Sequence, residues 1–242
     1  MQLLELTLDS PAENLALDEA LLDAAEASEI VGPVLRIWES PKYCVVLGRS
    51  SKIDLEVDLT ACRKTGIPVL RRCSGGGTIV AGPGCLMYAV VLDFETHPEL
   101  RAVDLAHRHV LKQMASALAP TLPRVSVAGI SDLVIKPQSE NTTQAATLSP
   151  RKFSGNALRV KRNHFLYHGT LLYDFDLSLL SQLLGSATRQ PDYRNERNHT
   201  DFVANLPLQR QEITDALIEG WNTHSDLPAW PRQRVADLVQ RC

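Results

Sequence analysis

The stretch Arg71-Arg72-Cys73-Ser74-Gly75-Gly76-Gly77-Thr78 carries the residue types in this chain best suited to chemistry. Three consecutive glycines free the backbone to take φ > 0 and let a ligand approach the main chain. Their N–H groups can then face an anion, with two arginines beside them. The competing reading is a hairpin loop whose arginines are solvated. A second stretch strengthens the first: Lys152-Phe153-Ser154-Gly155-Asn156-Ala157, followed by His168-Gly169-Thr170-Leu171-Leu172. Alone, Lys152 reads as a surface lysine in a hairpin. Beside Ser154 to Ala157 that reading no longer prevails.

The elements that must position these residues follow from local patterns. Leu4, Leu6 and Leu8 alternate with polar residues, so residues 2–8 suit a first strand. Ser10-Pro11-Ala12-Glu13 is a capping box with proline at the first helical position, and its helix runs to about Ala27. Asp18-Glu19 reads as the solvated face of that helix. Val34 to Trp38 and Cys44 to Leu47 are strands with Ser40-Pro41 as the turn between them. Asp58 caps a helix from Leu59 to Thr65, which Gly66 ends. Ile67 to Arg71 delivers the glycine loop. Ala81-Gly82-Pro83-Gly84 is a second turn before the apolar strand Cys85 to Leu92, and this spacing predicts adjacent antiparallel strands. A long helix spans about 97–119, and His107 and His109 on it read as solvated. Two short strands lie around Gly129, and 136–150 reads as a mobile polar loop, either a passive insertion or a flap over ligand. Phe153 to Leu158 and Phe165 to Tyr173 form a hairpin turned at Lys161-Arg162-Asn163. Residues 186–206 are polar and irregular; helices follow at 209–221 and 233–241.

Composition bounds the rest. The 242 residues suit one large domain or two small ones. A net charge of -3 gives no support to nucleic-acid binding, although Arg49, Arg71, Arg72, Lys152, Arg159, Lys161 and Arg162 allow a local basic patch. Five cysteines without metal-ligand spacing suit free thiols in a reducing compartment. Neither a signal peptide nor a membrane-spanning run is readable, so the expected location is cytoplasmic.

Six stretches in register resemble the lipoate–protein ligase A family, which belongs with biotin ligases and octanoyltransferases. Arg71 to Thr78 resembles its RRxSGGG signature. Asn14 to Leu21, Val45 to Arg49, Ser131-Asp132-Leu133, the Lys152 hairpin and Phe202 to Leu206 resemble further segments, so the match covers about residues 10–206. The resemblance implies an α+β fold, a mixed and largely antiparallel sheet flanked by helices, as in class II biotin/lipoate ligase catalytic domains. It implies a catalytic domain over 1–206 and a short helical extension over 207–242, with no full accessory domain.

It also implies ATP-dependent attachment of lipoate or octanoate to a carrier lysine through an acyl-adenylate, with ATP and Mg²⁺ required. Lys152 would then be catalytic. Arg49, Arg71, Ser74, Gly75, Gly76, Gly77, Thr78, His168 and Gly169 would bind the acyl substrate, and Asp132, Ser154, Gly155, Asn156 and Ala157 the nucleotide. Asp132 would hold Mg²⁺, although as a turn aspartate it is equally well explained. His168 either touches the acyl pocket or is a strand histidine with a satisfied hydrogen bond. Trp38, Val46, Leu47, Tyr88 and Leu172 are candidates for the acyl slot, or ordinary core. The implied partner is a lipoyl carrier domain, of 2-oxoacid dehydrogenase E2 or glycine-cleavage H-protein type, with either no accessory chain or a separate one.

The chain departs from the family at Ala81-Gly82-Pro83-Gly84, where many members carry a histidine. Two alternatives stay open: an ATP-independent octanoyl or lipoyl transferase, and a non-catalytic acyl or adenylate binder. The cysteine-using relatives place their nucleophile shortly before the lysine motif, and residues 124–151 contain no cysteine.

Overall fold

The computed structural model describes residues 1–137, 149–185 and 191–242. Its centre is an apolar strand, β6 (Cys85–Asp93), buried on both faces along nearly its whole length. Around it stand β1 (Gln2–Glu5), β2 (Val34–Glu39), β7 (Val125–Ala128), β8 (Asp132–Ile135), β9 (Arg151–Val160), β10 (His164–Leu172) and β11 (Ser225–Asp226). The sheet order is β11-β1-β2-β6-β10-β9-β8-β7. β1 runs parallel to β2 and β11, and the other pairs are antiparallel. A smaller sheet holds β3 (Cys44–Leu47) between β4 (Val69–Arg71) and β5 (Ile79–Ala81).

Helices cover both faces of the large sheet, because alternate β6 residues point to opposite sides. Tyr88 and Val90 pack with Val110, Met114 and Leu217. These come from α4 (Val103–Leu118) and α7 (Arg210–Gly220). Ala89 and Val91 pack with Leu17, Leu21 and Val235, from α1 (Pro11–Glu26) and α8 (Arg232–Leu238). The mixed, largely antiparallel α+β architecture is therefore the expected one.

Several local readings hold. Ser10 and Glu13 form the capping box of α1. Asp58 caps α3 (Leu59–Thr65), following the short α2 (Ile53–Glu56), and Gly66 ends it in the left-handed region at φ 69. β9 and β10 form the hairpin.

Strand partnership differs. The strands on either side of Ser40-Pro41 do not pair: β2 joins β1 and β6, whereas β3 joins the small sheet. β4 and β5 flank β3 rather than each other, and β6 pairs with neither. The glycine loop is thus a crossover between strands that share a neighbour, not a hairpin tip. The long helix begins later, at Val103, after a 3-10 turn over Pro98–Arg101. The expected mobile loop falls largely on 138–148, outside the described residues. Residues 191–206 carry a 3-10 turn at Asp192–Arg194 and a short helix, α6, at His199–Phe202. A short helix α5 (Ser178–Leu183) precedes them.

Candidate active site

The glycine loop folds around Arg72. Its Nε donates to Ser74 Oγ at 3.0 Å, and its Nη2 donates to the carbonyls of Gly75 and Gly77 at 2.6 and 2.9 Å. Those carbonyls turn inward onto the guanidinium. Gly76 sits at φ +86, where a Cβ would lie 2.9 Å from Arg72 Nη2, so this turn requires glycine. Among the described residues, the N–H groups of Gly75, Gly76 and Gly77 have no hydrogen-bond partner. Thr78 is tied back instead, its N–H and Oγ1 donating to Glu56 Oε2 at 3.1 and 2.6 Å. Burial would raise the Glu56 carboxyl, but bonds from Thr78 and Ser51 outweigh it and hold it below the usual glutamate value. Burial draws Arg72 down to about 10, so it stays charged at neutral pH.

The lysine hairpin faces this loop because of a bulge. β9 pairs Leu133 with Ser154 but Val134 with Lys152, leaving Phe153 as an extra residue. A regular strand would send Lys152 to the face of Ser154. The extra residue returns it to the face of Gly155, where a Cβ would lie 3.0 Å from Lys152 Nζ. Lys152 Nζ pairs with Asp132 Oδ1 at 2.7 Å, and Tyr193 Oη donates to Asp132 Oδ2 at 2.7 Å. Asn156 accepts from Tyr88 Oη at 2.5 Å and donates to the Ser131 carbonyl and Ser154 Oγ. A Cβ at Gly169 would stand 1.8 Å from Asn156 Oδ1.

Both stretches line one cavity of about 140 Å³. Arg72, Gly76, Gly77 and Thr78 form one wall. Ser131, Asp132, Lys152, Gly155, Asn156 and Ala157 form the other. His168, Gly169 and Thr170 lie at its base, and Leu15, Val46, Ile79 and Met87 supply the apolar part. A larger groove of about 470 Å³ between α4 and α7 is lined by Glu212, Asp215 and Glu219 and by no motif residue. It offers no cation to an anionic ligand, so the smaller cavity is the better candidate.

The placement separates the expected site residues. Lys152, Gly76, Gly77, Thr78, Asp132, Gly155, Asn156, Ala157, His168 and Gly169 share the cavity. Arg71 does not: its Nη1 donates to the carbonyls of Gly48, Arg49 and Ser51, bracing the turn after β3. Arg49, Ser74, Gly75 and Ser154 also lie off the cavity wall. Arg72 takes the wall position. Of the acyl-slot candidates, Val46 lines the cavity; Trp38, Leu47, Tyr88 and Leu172 are core.

Two solvated readings are corrected. Asp18 is 0% exposed and lies 2.6 Å from Arg36 Nη1 and 3.0 Å from His168 Nδ1. His107 is buried against Tyr167 Oη at 3.0 Å. The signal for the first was present. Asn14 and Asp18 stand i,i+4 among leucines and alanines on α1, and Arg36 interrupts an apolar strand. Tyr193 and Glu56 carried no local signal.

Asp132 fits a hard cation only as one ligand. Both its oxygens are bonded, and no cluster of three His, Cys, Asp or Glu side chains exists among the described residues. A metal here would share its shell between Asp132 and substrate phosphates, as Mg²⁺ commonly does. The cysteines take no wall position, although Cys73 lies between Arg72 and Ser74 in the glycine loop. Burial raises the Cys44 and Cys242 thiols to about 12 and pushes up Cys73 and Cys85 too. No helix among the described residues is long and apolar enough to cross a membrane.

Comparison with known proteins agrees with the geometry. The family model of the lipoyl protein ligase A/B catalytic domain matches residues 10–219. The Aeropyrum pernix protein named "Putative lipoate-protein ligase A" is 31% identical over 219 residues, 90% of this chain and 74% of that one. The octanoyltransferase LipM of Clostridioides difficile is 23% identical, with 95% and 91% covered. Among solved structures, a bi-partite lipoate protein ligase studied with its E2 lipoyl domain, from Thermoplasma acidophilum, superposes with TM-score 0.78 at 22% identity, covering 99% and 92%. A lipoate-protein ligase A bound with ATP superposes with TM-score 0.73 at 22% identity, covering 99% and 94%.

Proposed function

Given that this chain belongs to the lipoyl protein ligase A/B catalytic-domain family, we propose that it attaches lipoate, or octanoate, to a carrier lysine through an acyl-adenylate formed from ATP. The observation that carries the reading is the shared cavity: Lys152 on one wall, held at 2.7 Å by Asp132, and on the other Gly76 and Gly77, whose N–H groups have no partner among the described residues.

In the first step an acyl carboxylate oxygen attacks the α-phosphorus of ATP, the bond to pyrophosphate breaks, and a mixed anhydride forms. In the second an uncharged lysine amine of the carrier attacks the acyl carbon. The bond to AMP breaks and the nitrogen's surplus proton passes to solvent. Both steps gather negative charge on oxygens that leave or rearrange, so fixed donors in a sheltered cavity stabilise them. The glycine N–H groups are such donors because Arg72 holds the loop's carbonyls away. Arg72 adds a fixed positive field from below. Lys152, on a flexible stem, follows the charge from phosphate to acyl oxygen, and Asp132 parks it between turnovers. Bound Mg²⁺ would add phosphate charge neutralisation, with Asp132 as its protein ligand. Leu15, Val46, Ile79 and Met87 give the acyl chain an apolar path. Residues 1–206 would form the catalytic unit and 207–242 its extension, with a lipoyl carrier domain as partner.

The likeness to an octanoyltransferase favours a second reading, acyl transfer through a thioester. It requires a thiolate at the acyl carbon, and the cavity wall has no cysteine. The test is to mix the protein with ATP, Mg²⁺, lipoate and an apo lipoyl domain, then measure pyrophosphate release and the intact mass of the carrier. Pyrophosphate with lipoyl mass on the carrier is expected. Adenylate without transfer would point to a separate chain, as in the bi-partite relative. No adenylate, with octanoyl passing from an octanoyl-carrier, would overturn the proposal in favour of the transferase.

A further inference from the structure

A buried polar chain links four elements behind the cavity. Arg36, Ala89 and His168 lie in one row across β2, β6 and β10. The small Ala89 leaves room above the sheet, and Asp18 from α1 fills it. Asp18 Oδ1 accepts from Arg36 Nη1 at 2.6 Å, and Asp18 Oδ2 meets His168 Nδ1 at 3.0 Å. His168 Nε2 meets Ser74 Oγ at 2.6 Å. Asn14 completes the chain, accepting from Arg36 through its carbonyl and Oδ1 at 2.7 Å each. Asp18, Arg36 and Ser74 are 0% exposed and His168 is 4%.

Directions of donation follow from what each group can do. The Asp18 carboxylate can only accept, so His168 Nδ1 donates. In the neutral ring Nε2 then accepts, so Ser74 Oγ–H donates to it. Ser74 Oγ in turn accepts from Arg72 Nε at 3.0 Å. Each bond runs toward Asp18 without conflict. The order serine–histidine–aspartate is that of a hydrolytic triad, but Ser74 is absent from the cavity wall and Arg36 engages the other carboxylate oxygen. Ser74 is therefore not presented to a substrate. Instead Ser74 is held at the head of the glycine loop from two sides, by His168 at its side chain and by Arg49 N–H, which donates to its backbone carbonyl at 2.8 Å.

We propose that Asp18 and His168 are positioning residues: Asp18 fixes the His168 tautomer, which anchors Ser74 and so sets the glycine loop that carries Gly76 and Gly77 on the cavity wall. The catalytic consequence rests on the ligase reading; the anchoring does not. Side-chain ¹⁵N shifts of His168 in the intact protein should show protonated Nδ1 and bare Nε2. A proton on Nε2 would overturn the proposal. Exchange of the Arg49 amide, which is bonded to the Ser74 carbonyl at 2.8 Å, should rise by about tenfold or more in Ser74→Ala, which leaves the Asp18–Arg36 pair untouched. In Asp18→Asn, if Arg36 is tolerated without its carboxylate, the His168 proton should move to Nε2. Exchange within twofold of wild type in Ser74→Ala would overturn the anchoring. In a confirmed ligase, Ser74→Ala should lower kcat/KM by about 10- to 100-fold, the scale of small misplacements. Normal exchange changes with no ligase activity in wild type would sink the function and leave the relay standing.

Discussion

Replacing Gly169 by alanine tests the floor of the site most sharply. The new Cβ would stand 1.8 Å from Asn156 Oδ1 and 2.7 Å from its Cγ. No rotation of a methyl relieves that, so the Asn156 side chain must leave. With it go the bond from Tyr88 Oη at 2.5 Å and those to the Ser131 carbonyl and Ser154 Oγ at 2.8 and 3.0 Å. Each such bond contributes about 0.5–1.5 kcal/mol, and overpacking adds about 1–3 kcal/mol. The sum is about 5 kcal/mol, a large share of the roughly 5–15 kcal/mol typical of a domain. At about 2–4 °C per kcal/mol for this size, Tm should fall by roughly 10 °C or more. Gly77→Ala is the control: its Cβ meets nothing within 4 Å and its φ is ordinary, so Tm should stay within about 2 °C. Thermal melts followed by circular dichroism compare the two. Equal melting of Gly169→Ala and wild type would refute the packing argument, and with it the placement of Asn156.

Lys152→Ala should leave the protein folded but lower its melt, since buried Asp132 keeps only Tyr193, and should cut acyl transfer by about 10²–10³-fold, the usual loss when a transition-state donor is removed; near-full turnover would exclude Lys152 from the mechanism. Cys73→Ala should retain turnover, and iodoacetamide at pH 7 should not inactivate the enzyme, since its thiols are raised and off the cavity wall; rapid inactivation would restore the thioester route. Glu56→Gln tests the loop tether through pH. The folded carboxyl is depressed, so its stabilisation is present above the ordinary value of 4.5 and fades as pH falls through the folded one. Wild type should melt above Glu56→Gln at pH 7, and the gap should close on acidification below 4.5; a gap that widened there would contradict the sign.

What the sequence determined by itself is what needs only neighbours in the chain. Ser10 and Glu13 are three residues apart, so their capping box was readable. Gly66 ends its helix because it alone tolerates φ 69 without cost, and the turn at Lys161-Arg162-Asn163 closes a hairpin of adjacent strands. The glycine loop and lysine stretch were likewise legible as candidates, and their resemblance to a family was enough to expect one site. Tertiary structure decided which strands pair, because apolar strands such as Val34–Glu39 and Cys44–Leu47 carry similar patterns and differ only in what the rest of the core leaves open. It decided that Arg72 rather than Arg71 lines the cavity, although the two are adjacent, since Arg71 ends β4 and reaches the carbonyls of the turn after β3 while Arg72 opens the glycine loop and is wrapped by its carbonyls. It decided that an extra residue at Phe153 turns Lys152 inward. And it buried Asp18, which looks solvated on its helix, because its partners Arg36 and His168 come from strands 18 and 150 residues away. A charge is buried only where such partners meet it; the leucines and alanines around Asn14 and Asp18 mark an apolar face, but which distant side chains meet the carboxylate there is set by the sheet.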